Sequence, residues 1–150
     1  MSTVPDTSAA GRWQLLLLGT PRLLRDDASS AVVRLSVKDA ALLAIVALDG
    51  PVAAERVAAL VWPGADTRKA DTSLRQRLFR LRRECGAAIV ASGSRLALAE
   101  GVATDLAATL ARIATDPDAG RDALLGDLAF DDWPELADWV RQARTRWNAR

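Results

Sequence analysis

The stretch Asp71–Cys85 reads DTSLRQRLFRLRREC, and its pattern constrains everything around it. At about 100° per residue, Leu74, Leu78, Leu81 and Cys85 share one narrow stripe of a helix. Thr72, Gln76, Phe79, Arg80 and Arg83 take the opposite side, with Ser73 beside them. Arg75 and Arg82 flank one edge of the stripe and Arg77 the other. Between Thr67 and Glu84, seven Lys or Arg residues stand against two acids, in a chain whose net charge is only +1. One side is suited to burial and the other to a negative partner, of which nucleic acid is the leading candidate. Taken alone, an Arg-rich helix face that is merely solvated reads the same way.

The flanks supply the context. Gly86 closes the helix, and Ala88–Ala91 and Arg95–Ala99 read as two short strands around Ser92-Gly93-Ser94, a hairpin signal. Upstream lies a loop at Pro63–Ala70, preceded by a helix at about Ala53–Val61 that Trp62-Pro63-Gly64 ends. Before that, Val37–Leu48 is a helix so apolar (AALLAIVAL) that it belongs in the middle of the domain. Ser36-Val37-Lys38-Asp39 opens it as a capping box, and Asp49-Gly50-Pro51 stops it. Trp13–Leu18, Arg22–Arg25 and Ala31–Leu35 are strand candidates parted by Gly19-Thr20-Pro21 and by the polar cluster Asp26–Ser30.

The order sheet, helix, helix, basic helix, hairpin makes an α+β fold. It is a winged helix-turn-helix with an N-terminal antiparallel sheet and a C-terminal β-hairpin wing, followed by a few helices. In such a fold the third helix, 71–85, enters the major groove and the wing, 88–99, lies beside it.

Composition bounds the alternatives. Half of the residues are apolar and 26% charged, as in an ordinary soluble globular protein. Residues 1–100 carry 14 basic and 10 acidic side chains, and residues 101–150 carry 6 and 9. The first part is therefore the anion binder. The expected division is a flexible tail at 1–11, a winged helix-turn-helix domain at 12–101 and a helical segment at 102–150. There are no histidines, Gly-rich phosphate loops or metal-spaced ligands, so neither a catalytic constellation, a metal nor a cofactor is expected. A single cysteine, Cys85, precludes an intrachain disulfide and fits a reducing cytoplasm; it reads as a small core residue. No apolar run is long enough to cross a membrane, and none is expected as a partner.

Four segments in this order resemble one family: LLLLGTPRLL at 15–24, KDAALLAIVALDGPV at 38–52, ALVWPGAD at 59–66 and SLRQRLFRLRRECG at 73–86. They are similar to the N-terminal domain of the Streptomyces antibiotic regulatory proteins, bacterial transcriptional activators with an OmpR/PhoB-type winged helix. LLGDLAFDDWPELADWVRQARTRW at 124–147 resembles the opening of that family's bacterial transcriptional activation domain, so the chain is expected to be a fragment of a longer regulator, the alternative being a natural short form that keeps only the linker helices. The wing departs from the family: Ser94-Arg95-Leu96-Ala97 stands where a Gly-Tyr-x-Leu strand is common. The resemblance implies a DNA-binding activator that sits on promoters, in tandem on direct repeats, and touches RNA polymerase. It places the polymerase contact on the loop residues Gly64, Ala65 and Asp66.

Helix sides nominate the DNA-binding residues. Arg80 and Gln76 are the candidates for base readout, since Arg pairs bidentately with guanine and Gln with adenine. Arg83 shares their side. Thr72 and Ser73, placed at the start of the helix, either cap it or bond a phosphate beside free amides. Arg75, Arg77 and Arg82 are lateral phosphate clamps or surface charges. Arg68, Lys69, Arg95 and Lys38 are secondary phosphate candidates. Phe79 contacts a thymine methyl or packs on the wing or preceding loop, the second being preferred, and Trp62 is a core plug. Leu106, Leu110 and Ile113 form a stripe near Asp105–Thr115. Pro134–Ala149 puts Leu136, Trp139, Val140, Ala143 and Trp147 on one face, with residues 104–125 as its default dock and the winged domain, further helices or self-association with a second copy of the chain as the alternatives. A winged-helix protein-interaction module that does not read DNA is the competing class.

Overall fold

The computed structural model of the chain describes residues 12–25, 31–113, 115–116 and 122–149. The expected tail at 1–11 and the Asp26–Ser30 turn lie outside the described residues.

The first strands form on short apolar runs bounded by turn residues or charges: β1 (Trp13–Leu16), β2 (Arg22–Arg25) and β3 (Val32–Arg34). β1 pairs antiparallel with β2, Trp13 opposite Arg25, and β2 with β3. Trp13, Leu15, Leu17 and Leu23 face the core. Next come α1 (Val37–Asp49), the two-residue β4 (Val52–Ala53), α2 (Ala54–Val61) and α3 (Thr67–Cys85). The wing follows as β5 (Val90–Ala91) and β6 (Arg95–Leu98), then β7 (Val102–Thr104), α4 (Asp105–Ile113) and α5 (Pro134–Asn148).

The expected winged helix-turn-helix fold, with its N-terminal antiparallel sheet and C-terminal hairpin wing, is present. In α1 every residue from Asp39 to Val46 is buried, because a helix apolar on all sides must have neighbours on all sides. Ser36 Oγ accepts the Asp39 amide at 3.1 Å, which is half of the expected capping box. The Asp39 carboxylate does not complete it but lies 3.3 Å from an Arg77 nitrogen. At the other end the Gly50 amide donates to the Val46 carbonyl at 3.0 Å. A Cβ on Gly50 would stand 2.3 Å from that same oxygen, so no other residue fits here unshifted.

Two strands escaped the sequence reading. β4 pairs antiparallel with β6, Val52 opposite Leu96, and makes the wing three-stranded in the order β4-β6-β5. β7 adds to β1 in parallel, Trp13 opposite Val102, and completes the first sheet as β3-β2-β1-β7. Directly past the expected division at residue 101, therefore, the chain returns to the N-terminal sheet. Asp105, the first residue of α4, accepts the Leu17 and Leu18 amides on its two carboxylate oxygens, both at 2.9 Å. Held there, α4 turns Leu106 and Thr109 inward and leaves Leu110 exposed, so the expected Leu106-Leu110-Ile113 stripe is not the buried one.

α5 buries the five residues named for it. Its dock meets the expected one at 104–125 only at Leu124 and otherwise lies on the winged domain and the turn after it. Trp139 Nε1 donates to Asp49 at 2.8 Å, at the end of α1, and Arg144 donates to the carbonyls of Leu124, Gly126 and Leu128 at 2.9, 3.3 and 3.0 Å. The turn that Arg144 holds is bound in its other direction to β1's end, where Leu18 bridges Leu124 and the Gly19 amide meets the Ala123 carbonyl at 2.8 Å. Gly126, with φ +53°, passes so close to Gly19 that a Cβ would sit 2.8 Å from the Gly19 oxygen.

Candidate nucleic-acid interface

α3 buries Ala70, Leu74, Leu81 and Cys85, with Leu78 half-buried on the same stripe. It starts at Thr67, earlier than its apolar pattern, because Asp66 caps it: Asp66 Oδ1 accepts the Lys69 amide at 2.8 Å. Three corrections follow. Thr72 and Ser73 stand within the helix rather than at its start, so they neither cap it nor offer free amides. Arg68 and Lys69 belong to its first turn instead of a loop. The connection from α2 shrinks to Trp62–Asp66, in which Gly64, Ala65 and Asp66 are all exposed. Gly64 has φ +86°, a conformation that favours glycine. At the far end Gly86, φ +73°, caps α3 as expected.

The outward side of α3 carries Thr72, Gln76, Phe79, Arg80 and Arg83, every one exposed, with Ser73 half-buried beside them. Arg68, Lys69, Arg80, Arg82 and Arg83 make no ion pair with a described residue. Two arginines of this helix are engaged. Arg75 pairs with Asp71 one turn back at 2.9 Å, on the surface, where such a pair contributes little and leaves the cation available. Arg77 points inward to Asp39 and to Ser36 Oγ at 3.4 Å, so it is a tie between α3 and α1 and not a lateral clamp.

Lys38 is also engaged. Its ammonium sits 5.4 Å from the Trp62 ring centroid and 5.0 Å from that of Trp133, between α2's end and the residue before α5. Burial, and secondly the nearby Arg77 charge, push its amine below the usual lysine range. Trp62 is thus half core plug and half cation platform, and Lys38 leaves the set of phosphate candidates.

Arg95 opens β6 on the exposed side of the wing, and its guanidinium donates to the Pro51 carbonyl at 3.4 Å. Between α3 and the wing runs an open groove of about 550 Å³, floored by Leu78, Leu81, Ile89, Val90 and Leu96 and rimmed by Arg75, Arg82, Ser92 and Gly93. Phe79 stands at its edge and not packed into it: the ring is 62% exposed, against the expectation that it packs on the wing or loop. The neighbours that could cover it are short, Ala88 and Ala91 in the wing. Cys85 is buried, and its thiol is pushed up to about 11 by burial and then by Glu84.

Among the described residues no group of acidic, histidine or cysteine side chains is arranged to hold a metal ion, and no helix is long and apolar enough to cross a membrane.

No protein-family model and no curated protein matches the chain. Among solved structures it is similar to Mycobacterium tuberculosis EmbR in complex with a low affinity phosphopeptide, with a TM-score of 0.58 and 18% sequence identity. The likeness covers 91% of this chain and 44% of that one, so the chain spans less than half the length of EmbR. At that identity the likeness speaks for the fold.

Proposed function

We propose that the chain is a sequence-specific, double-stranded-DNA-binding transcriptional regulator without enzymatic activity, of the Streptomyces antibiotic regulatory protein type. The observation that carries this reading is the exposed side of α3, where Gln76, Arg80 and Arg83 are free of ion pairs with described residues and lie beside a wing. A winged fold whose third helix has that side inserts it in the major groove. Arg80 and Gln76 then reach base edges, and Thr72, Ser73 and Arg83 reach bases or the phosphates lining the groove.

Arg75, Arg95, Arg68 and Lys69 take phosphates. Arg68 and Lys69 stand exposed in α3's first turn, where the Asp66 cap is the one acid, so their two cations can meet an approaching phosphate. The groove between α3 and the wing has arginines on its rim and suits one sugar–phosphate strand. EmbR, the structural likeness, supports the fold that this mode of binding requires. The further steps in the reading are promoter binding on direct repeats, activation through RNA polymerase at Gly64, Ala65 and Asp66, a cytoplasmic location, and a division of labour between 12–101 and the helical segment 102–150.

The competing protein-interaction reading rests on the modest net charge, the short wing and the apolar terminal helix. α5 buries its apolar face within the chain, which weakens the last of these motives.

The test is selection from a pool of random duplexes at two salt concentrations. An enriched motif is the expected result, and saturable binding without enrichment, or none, overturns the reading. On the enriched duplex, Arg80→Ala should cost about 1–3 kcal/mol and relax the preference at one position. Arg75→Ala should weaken all duplexes alike and flatten the salt slope by about one unit. Identical behaviour of the two variants would mean that α3 meets DNA with a different side.

A further inference from the structure

Among the described large apolar side chains, Val32, Phe79 and Leu110 are exposed, and Phe79 the most. Val32 sits on an edge strand and Leu110 on α4, both away from α3. Phe79 stands on the outward side of α3, three residues from Gln76, next to Arg80 and one turn before Arg83. Its ring belongs to none of the buried stripe formed by Leu74, Leu81 and Cys85.

Two further observations define its surroundings. The Arg83 guanidinium lies 5.9 Å from the ring centroid, so ring and cation restrict one another before any ligand arrives. The two also bound an open notch of about 580 Å³, with Gln76, Arg80 and Glu84 as the other walls. The notch therefore offers two hydrogen-bonding cations, an amide, one carboxylate and one apolar plate. A phosphate strand would gain nothing from the plate and would be repelled by Glu84. A base-pair edge fits better: in the major groove thymine alone presents an apolar group, its 5-methyl, beside acceptors and donors.

We propose that Phe79 determines specificity by covering the 5-methyl group of a thymine, next to a base pair read by Arg80 or Arg83. This rests on the DNA-binding reading above. The ring excludes water from the methyl group, and the stacked Arg83 is held over the neighbouring position. A cytosine in the same place lacks the methyl and leaves the ring against water.

The experiment uses the duplex enriched by the full chain and replaces its thymines one at a time by deoxyuridine, which removes only the methyl. One position should lose roughly fourfold in affinity, the worth of one methyl group taken from water. Phe79→Ala should bind the unmodified duplex at least that much more weakly and be indifferent to deoxyuridine at that position. Phe79→Leu should keep part of the effect. Because the ring is exposed, both variants should melt like the parent, which separates a lost contact from a lost fold. Indifference of the parent chain to deoxyuridine at every position overturns the proposal and leaves the DNA reading standing, as does a deoxyuridine penalty that persists in Phe79→Ala. Failure to enrich any duplex overturns both.

Discussion

Arg77 and Cys85 belong to the same helix as the DNA-facing residues, yet burial assigns them to the fold. Arg77 keeps 27% of its side-chain exposure and Asp39 11%, so the pair is largely removed from water and each partner needs the other. Asp39→Ala should cost about 1–3 kcal/mol, read from denaturant unfolding, because it strands a charged donor. Arg77→Met should leave the salt slope of DNA binding unchanged, in contrast to Arg75→Ala. Cys85 bears on pH. Its thiol titrates near 11 when folded, above its ordinary value of 9.0, so the folded state holds the proton longer than the unfolded chain. That contribution is whole below pH 9 and is lost as pH rises towards 11. The stability gap between the parent and Cys85→Ala should narrow over that interval in thermal melts; a constant gap would mean that the thiol is not shielded. A helical wheel distinguishes inside from outside, which was enough for Cys85. It could not show that Arg77, on the flank of the stripe, finds a carboxylate 38 residues away.

At the scale of the element, α3 illustrates what periodicity reports and what it omits. The apolar stripe, the outward side and the glycine stop were all legible, because each depends on residues near in sequence. The start was not. Thr72-Ser73 directly before Leu74 has the look of a cap, whereas the true cap, Asp66, is followed three residues on by Lys69 in place of the Glu or Gln of a capping box. The first turn then advances through Arg68 and Lys69 without an apolar residue to betray it. Asp66→Ala should lower stability by about 1 kcal/mol, the usual worth of such a cap, while Thr72→Ala should change it little. Thermal or denaturant melts of the two variants check this, and the reverse ranking would return the helix start to Thr72. The wing repeats the lesson: its hairpin was legible from Ser92-Gly93-Ser94, but β4 is two residues long and too short for any alternation to register.

For the whole molecule the question is whether residues 12–101 fold as a unit without the rest. Local patterns favoured it, since the wing ends there and charge changes sign beyond. The structure adds long-range bonds that no local pattern encodes. β7 covers the edge of β1, Asp105 takes two amides at that strand's end, and Leu124 bridges Leu18. On the opposite side Trp139 is bonded to Asp49, and Lys38 lies between Trp62 and Trp133. A chain cut after Gly101 would lose all of these together, apart from the contact of Lys38 with Trp62. It would expose Leu15, Leu17 and Trp13 around an open strand edge, the arrangement that invites pairing with another chain. Such a fragment should melt about 10 °C or more below the full chain, or aggregate, given that about 1 kcal/mol moves the midpoint of a domain of this size by several degrees. Asp105→Ala in the full chain isolates one strand of the argument: two amides lose a charged acceptor, at a cost of about 2–3 kcal/mol. Calorimetry decides it. One cooperative transition in the full chain, lowered by Asp105→Ala, means that the terminal helices are part of the fold that presents α3. A fragment 12–101 as stable as the whole would make them a separate unit, and coupling between them and DNA binding would then have no structural basis in the bonds described.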